Sequence, residues 1–202
     1  MTMAFDAAGE ASDEALMVLY ANGDRHAALA LTRRITPRVL AYAARLLSGD
    51  RAEAEDVAQE TMLRLWKIAP EWRQGETKVT TWAYRVATNL CIDRQRSRHR
   101  KPQMTLEDAP EPTDGAPGAE DRLQDSGRMA ALQAALSELP DRQRQAVVLR
   151  HLEGMTNPEI AAIMEIGTEA VESLTARGKR ALAANLSGRK AALGYEDDGH
   201  AG

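Results

Sequence analysis

The sequence predicts an all-α protein built from two small helical domains that are joined by a flexible acidic linker. The chain of 202 residues is rich in Ala, Leu, Arg and Glu and poor in aromatic and β-branched residues. Its apolar residues recur at helical spacing, and no segment alternates apolar and polar residues over the length of a strand. The stretch 102–126 is rich in Pro, Gly, Asp and Glu and offers little to bury. We therefore predict one domain over 10–101, a second over 127–190, and tails at 1–9 and 191–202.

The charge is distributed by segment, so the formal net charge of −4 does not exclude nucleic-acid binding. Basic residues gather at 94–101 and 177–190, whereas acidic residues gather at 53–60 and 107–125. The single cysteine, Cys91, excludes an internal disulfide and is expected to be a small buried residue.

The composition favours no enzyme, metal or membrane class. No apolar run approaches the roughly 20 residues that span a bilayer, and the N-terminus lacks the pattern of a signal peptide. No nucleophile–base pair or phosphate-binding loop is visible. The histidines have no ligand spacing; they are His26, His99, His151 and His200. We expect a soluble cytoplasmic protein that is not an enzyme and needs no cofactor.

The first two helices are predicted from their end signals. Ser12 can cap a helix that stops at Asn22-Gly23. A second helix begins near Asp24. Because Pro37 lies inside it, we expect a kink or a restart there, with Thr36 as a possible cap.

A third helix over 51–68 has a buried stripe and an acidic side. An ordinary solvated face and a docking surface for a basic partner helix are both compatible with this side. The residues proposed for docking are Asp56, Gln59, Glu60 and Leu63.

The helix over 80–101 carries the strongest sign of nucleic-acid binding. Trp82, Arg85 and Asn89 fall on one side, with Arg96 nearly in line. An indole, an amide and guanidinium groups can stack on unpaired bases, hydrogen-bond their edges and hold phosphates. A buried Trp82 beside a solvated basic helix end would give the same pattern.

Two features flank this stacking side. The basic residues Arg94, Arg96 and Arg98 suit a nucleic-acid backbone. The preceding loop, 71–79, has Gly75 at its tip and can wall a pocket for a flipped base, or serve only as a connector.

The C-terminal part has a helix-turn-helix pattern. Thr156 and Glu159 form a predicted capping box for a short helix. A tight turn at 165–167 then leads to a last helix from Thr168 to about Leu186. Its outward side combines groups that read base edges and hold phosphates, although a charged three-helix bundle would look similar. The candidate DNA-binding residues are Glu172, Ser173, Arg177, Lys179 and Arg180, with Arg189 and Lys190 as further phosphate contacts.

The chain resembles the extracytoplasmic-function (ECF, group IV) class of bacterial RNA polymerase sigma factors, of the sigma-70 family. Three segments carry the resemblance: AEAEDVAQETMLRLW, TTWAYRVATNLCIDRQR and LPDRQRQAVVLRHLEGMTNPEIAAIMEIGTEAVESLTARGKRAL. The similarity covers about 13–101 and 129–186, and the order of the three segments around an acidic linker makes it specific.

The resemblance implies a role for each surface. Asp56, Gln59, Glu60 and Leu63 would dock on the β′ clamp helices of core RNA polymerase. Trp82, Arg85 and Asn89 would capture unpaired bases of the −10 promoter element, while Arg94, Arg96 and Arg98 would hold strand phosphates. The second domain would read the −35 element, mainly through Glu172, Ser173 and Arg177, and would contact the β flap. An anti-sigma factor would hold the protein inactive.

The sequence departs from this family at three positions. Many relatives have basic residues where Glu172 and Leu174 stand, and Gly is common where Glu165 stands. The −35 sequence therefore cannot be transferred from relatives. Two other functions remain open: a free-standing helix-turn-helix regulator, and a sigma-like decoy that sequesters an anti-sigma factor.

Overall fold

The protein was analysed as a computed structural model. It describes residues 11–73, 75–98 and 127–188 in full, together with the helical backbone of 99–100 and 119–126. The tails, most of the predicted linker, and the phosphate contacts predicted at Arg189 and Lys190 lie outside the described residues.

The described residues are helical and contain no strand, which confirms the predicted fold class. A 3₁₀ turn, Ala69–Glu71, follows the third helix, and a π-helical turn, Val148–Leu152, follows the sixth. The α-helices are α1 Asp13–Ala21, α2 Arg25–Leu46, α3 Arg51–Ile68, α4 Val79–Arg100, α5 Ala119–Ser137, α6 Asp141–Val147, α7 Asn157–Met164 and α8 Thr168–Ser187.

Side-chain caps fix the starts of the first three helices. The Ser12 hydroxyl accepts from the backbone N–H of Ala15 at 3.1 Å, as predicted. The Asp24 carboxylate accepts from the N–H of His26 at 2.8 Å, and Asp50 does the same for α3. These bonds satisfy N–H groups that have no partner within the helix.

Helix α2 runs without interruption past Pro37, so the predicted restart is wrong. The Thr36 hydroxyl has no hydrogen-bond partner among the described residues and does not cap a new helix. Ile35 and Val39 are buried on either side of the proline. Packing of this stripe against the core outweighs the backbone hydrogen bond that proline cannot make.

Helix α5 begins at Ala119, inside the stretch 102–126 that was predicted to be a linker. The prediction rested on the lack of residues to bury. It overlooked that 119–126 contains no Gly or Pro, so a helix anchored by the buried Ala135 and Leu136 can extend backwards.

The buried apolar side chains of the two predicted domains belong to one continuous cluster. In the first domain, buried side chains of α1–α4 surround Tyr42, whose hydroxyl lies 2.8 Å from that of Thr88. In the second, Leu136, Leu149 and Ile160 are fully buried. The two domains also touch, because α7 packs against α4.

Candidate nucleic-acid and partner interfaces

The acidic side of α3 is accessible. Asp56 and Gln59 are exposed, and Leu63 is 54% exposed, which is unusual for a large apolar side chain on a helix that buries its opposite side. Glu60 is partly covered and pairs with Arg64 at 2.8 Å, which lowers its pKa. The four predicted residues therefore share one open face of α3, with the apolar Leu63 at its C-terminal end and the acidic residues before it.

The α4 side predicted to bind single-stranded DNA is only partly as expected. Arg85, Asn89 and Arg96 are exposed and lie in line. Trp82 is half-buried and packs against the core, and its ring meets that of Trp72 edge-on at 6.3 Å. Trp82 therefore packs part of its ring against the core and leaves the rest of the ring accessible on this side of α4.

Two of the predicted phosphate contacts are already paired within the first domain. The Nε of Arg94 lies 2.6 Å from a carboxylate oxygen of Glu53. Arg98 pairs with Asp50, whose pKa is lowered by a hydrogen bond from the Glu53 backbone and by Arg98. The third predicted arginine, Arg96, is exposed and takes part in none of the ion pairs found among the described residues.

The loop before α4 is exposed along most of its length. Gly75 has a φ of 88°, which favours glycine, and marks a sharp turn. Trp72 returns the start of the loop to the core beside Trp82. The loop therefore lies next to the α4 side, where a wall for a flipped base was predicted.

The outward side of α8 is open. Glu172, Ser173 and Arg177 are exposed, as are Lys179 and Arg180. The amide of Asn157 donates to the Glu172 carboxylate at 3.3 Å, which ties the start of α7 to the outward side of α8.

The helix-turn-helix has the predicted cap and turn. The Glu159 carboxylate accepts from the Thr156 N–H at 2.8 Å. Glu165 adopts a left-handed conformation with φ 54°, the conformation for which Gly is usually chosen. At Gly178, a Cβ would lie 2.6 Å from Cγ2 of Val147, so α8 crosses α6 at the distance that glycine permits.

Sequence reasoning missed a set of carboxylates by which the second domain contacts the first. Glu153 receives a hydrogen bond from Arg45 at 3.1 Å and another from the Tyr84 hydroxyl. Only 7% of the Glu153 side chain is exposed. Burial and this carboxylate raise the pKa of Tyr84, which keeps its hydroxyl a donor.

Two further pairs lie at the ends of α7. Lys78 Nζ lies 2.7 Å from Oε1 of Glu159, and Arg85 pairs with Glu165. The hydrogen bond from Lys78, with those from Thr156, lowers the pKa of Glu159 to about 2. Partners this far apart in the chain leave no local spacing signal, so only the packing of α7 on α4 shows them.

A cavity of about 370 Å³ separates the two domains beside these pairs. The first domain lines it with Thr88, Asn89, Ile92, Gln95 and Arg96, and the second with Asp141, Arg142, Gln145, Ile163, Met164 and Glu165. The predicted base-contacting Asn89 therefore faces the helix-turn-helix domain across a narrow space.

The described residues also bear on the cysteine and on possible metal-binding and membrane-spanning features. Cys91 is buried, and burial raises its pKa to about 12. The described His, Cys, Asp and Glu side chains form no cluster suited to a metal ion. None of the described helices has the length and apolar character to cross a bilayer.

Family comparisons agree with this architecture. Sigma-70 region 2 matches residues 31–101, and sigma-70 region 4 matches 129–182. The ECF RNA polymerase sigma factor SigE of Mycolicibacterium smegmatis is 36% identical over 182 residues, covering 86% of this chain and 68% of the relative. SigM of Mycobacterium tuberculosis is 33% identical over 174 residues, covering 86% and 84%.

Solved structures show the same fold. CnrH in complex with the cytosolic domain of CnrY superposes with a TM-score of 0.63 at 26% identity, covering 87% of this chain and 97% of that one. The sigma factor RpoE in complex with the anti-sigma factor NepR, from Bartonella quintana, gives 0.60 at 20% identity, covering 77% and 93%. With both conserved regions present in order and close curated relatives covered over most of their length, the chain belongs to the extracytoplasmic-function class of RNA polymerase sigma factors.

Proposed function

We propose that this protein is an alternative sigma factor that joins core RNA polymerase in the cytoplasm, recognises −35 and −10 promoter elements and promotes DNA melting. One observation carries the proposal: α3, α4 and α8 each present an exposed set of side chains whose chemistry suits one step of initiation. A transcription factor of this kind is not an enzyme in its own right, because the polymerase performs the chemistry.

The α3 surface is proposed to dock on the β′ clamp helices. Leu63 supplies an exposed apolar group from which water is released on binding, and Asp56 and Glu60 supply charges that orient a basic partner. Gln59 adds a hydrogen-bonding group within the same patch. A free-standing helix-turn-helix regulator would have no use for this exposed leucine.

The α4 side is proposed to capture unpaired bases of the −10 element. Asn89 can hydrogen-bond a base edge, and Arg85 and Arg96 can hold the strand. Stacking on aromatic groups such as Trp82 contributes roughly 1–3 kcal/mol per base, enough to offset unpairing without ATP. Melting then follows from trapping bases that have left the duplex.

The α8 surface is proposed to read the −35 element in the major groove. Arg177 can donate two hydrogen bonds to guanine, Glu172 can accept from cytosine, and Ser173 can do either. Lys179 and Arg180 would hold the flanking phosphates. Contact of this domain with the β flap would fix the spacing between the two elements.

An anti-sigma factor is the proposed regulator. The support is that two solved structures with this fold are complexes with a protein partner: CnrH with the cytosolic domain of CnrY, and the sigma factor RpoE with the anti-sigma factor NepR. Two helical domains that meet along α4 and α7 offer such a partner a composite surface.

Run-off transcription tests the function. Purified protein is added to core polymerase on a library of genomic fragments, and transcript starts are sequenced. We expect starts that share two sequence elements. A regulator that does not join polymerase, or a decoy that only binds an anti-sigma factor, would give no specific transcript.

A charge reversal tests the docking surface. Asp56→Lys with Glu60→Lys should abolish co-purification with core polymerase and leave duplex binding by α8 unchanged. The single variant Asp56→Lys is compared with Glu55→Lys as its control. Glu55 is an exposed neighbour that pairs with Arg51, so this control reverses one charge beside the proposed surface. Retention of core binding by the double variant would reject this surface.

A further inference from the structure

The carboxylate of Glu172, on the outward side of α8, is held from another helix. The side-chain amide of Asn157, the first residue of α7, donates to Oε1 of Glu172 at 3.3 Å. Among the residues that the structure describes, this amide is the hydrogen-bonding partner of the carboxylate, and no cation pairs with it. The Glu172 side chain is otherwise exposed. Its orientation towards a ligand therefore depends on Asn157.

Helix α8 itself does not supply a group that would orient Glu172. Side chains three and four residues apart are neighbours on a helix, and none of those beside Glu172 is cationic. Glu169, one turn earlier, is exposed and carries the same charge, so it repels the Glu172 carboxylate. A long flexible side chain without a partner samples many positions over the surface. The neighbouring positions are Thr168, Glu169, Thr175 and Ala176.

Asn157 donates from a firmly held backbone. The Glu159 carboxylate accepts from the backbone N–H of Thr156 at 2.8 Å and from its hydroxyl at 2.7 Å, which fixes the start of α7. Pro158 follows directly and restricts the backbone of the residue before it. Helix α7 also packs against α8. The amide is therefore presented to Glu172 with little conformational entropy left to lose.

A carboxylate held over the major groove selects among bases by what it cannot do. Its oxygens only accept hydrogen bonds, and the amino groups of cytosine and adenine are the donors in that groove. Guanine and thymine present acceptors there, and adenine places an acceptor beside its amino group. Asn157 contacts Oε1, so Oε2 of Glu172 is left for a base. A carboxylate that cannot swing away both accepts from cytosine and rejects the other bases.

We propose that Asn157 is a specificity-determining positioning residue, whose amide holds the Glu172 carboxylate over the −35 element and so sets the preference for cytosine at one base pair. This inference rests on the proposed reading of the −35 element by α8. Asn157 acts through Glu172 and not on a base. Its loss should therefore weaken the preference at that base pair and leave those set by Ser173 and Arg177 as they are.

Selection from a randomised duplex pool tests this with the full-length protein, both free and bound to core polymerase. Sequencing of the bound duplexes gives the base preference at each position, and Glu172→Ala maps the base pair that Glu172 reads. We expect Asn157→Ala to lower the cytosine preference at that pair about threefold or more. Adding Asn157→Ala to Glu172→Ala should change nothing further, because the amide acts through the carboxylate.

A second variant separates positioning from folding. Asn157→Asp keeps a side chain that suits the start of a helix, but its carboxylate repels that of Glu172, so it should lose the cytosine preference at least as strongly. The matched control is Asn185→Ala. It removes another side-chain amide of this domain, which donates to the Ala135 carbonyl oxygen at 3.2 Å. Any loss of affinity in this control should be the same for every sequence.

The outcomes separate this inference from the proposed function. Asn157 variants that select the wild-type sequence, or that lose affinity uniformly as Asn185→Ala does, would overturn the inference and leave the reading by α8 intact. Wild-type protein that selects no duplex sequence in either form, or Glu172→Ala with unchanged preferences, would overturn the reading by α8 and the inference with it. Run-off transcription reports separately on whether the protein joins polymerase.

Discussion

The Nε of Arg94 lies 2.6 Å from Oε2 of Glu53, so a guanidinium expected to hold a DNA phosphate is bound to the neighbouring helix. Arg98 adds a pair with Asp50 and lies 3.9 Å from Glu53. Because both acids belong to the start of α3, the basic end of α4 is partly neutralised before any DNA arrives. The acids at the start of α3 therefore reduce the positive charge that the end of α4 presents.

Removing the Glu53 charge should release Arg94 for DNA. We expect Glu53→Gln to bind single-stranded DNA more tightly at low salt, by about 0.5–1 kcal/mol, or about two- to fivefold. Fluorescence anisotropy against salt concentration measures this, and the gain should shrink as salt rises. Glu55→Gln removes the same charge two residues further along α3, at a side chain that pairs with Arg51 rather than with α4; an equal gain there would show that only net charge matters.

A methyl group at Gly178 should destabilise the second domain. Its Cβ would meet Val147 Cγ2 at 2.6 Å and the Gln143 carbonyl oxygen at 3.1 Å. Ala gains about 1 kcal/mol of helix propensity over Gly. Overpacking at this crossing costs about 1–3 kcal/mol. The Gln143 carbonyl oxygen belongs to the backbone and cannot rotate away from the added methyl group, so we expect a net loss of stability.

Urea unfolding followed by circular dichroism measures that loss, and duplex binding reports whether α8 has shifted. The control is Gly188→Ala, at the end of the same helix, where the nearest atom to a Cβ is 3.6 Å away. It should leave stability nearly unchanged. A Gly178→Ala protein as stable as wild type would mean that the two helices separate without cost.

The Cys91 thiol should be inert in the native protein. Burial raises its pKa to about 12, so almost no thiolate exists near neutral pH, and only the thiolate reacts quickly. A colorimetric disulfide reagent should label it at least about a hundredfold more slowly in buffer than in urea. Comparable rates in the two solvents would show that α4 opens readily and that this thiol can react in the native protein.

The sequence was sufficient for the features that depend on local signals. Ser12, the Thr156–Glu159 box and the end of α1 at Asn22 are short-range effects of side chains on nearby backbone, and all are found. The burial of one apolar side on each of α3 and α8 was likewise predicted from the helical spacing of their apolar residues. The exposed candidate residues on those two helices therefore lie where the pattern placed them.

What the sequence did not provide depends on contacts between distant segments. The continuity of α2 through Pro37 comes from tertiary packing that outweighs a local preference. Trp82 shared a helix side with Asn89 by periodicity, yet its ring reaches back to Trp72. The pairing of Lys78 with Glu159 joins two domains, and no spacing rule predicts a contact across a linker.

Lowering the pH should remove the contribution of the ionised Glu159 side chain to folding stability over a defined pH range. Its pKa lies at about 2 in the folded protein against an ordinary 4.5, first because of the hydrogen bond from Lys78 and then because of those from Thr156. A lowered pKa means that the ionised form is favoured by folding. The stabilisation is therefore complete above the ordinary value and is lost as the pH falls towards the folded one.

The measurement compares wild type with Glu159→Gln by urea unfolding at about pH 5 and about pH 3, because the stability difference between them isolates the carboxylate. We expect wild type to be the more stable at the higher pH and the difference to shrink at the lower. Glu55→Gln serves as the exposed control on α3. A difference that stays constant between the two pH values would show that the Glu159 carboxylate gains nothing from Lys78 and the cap.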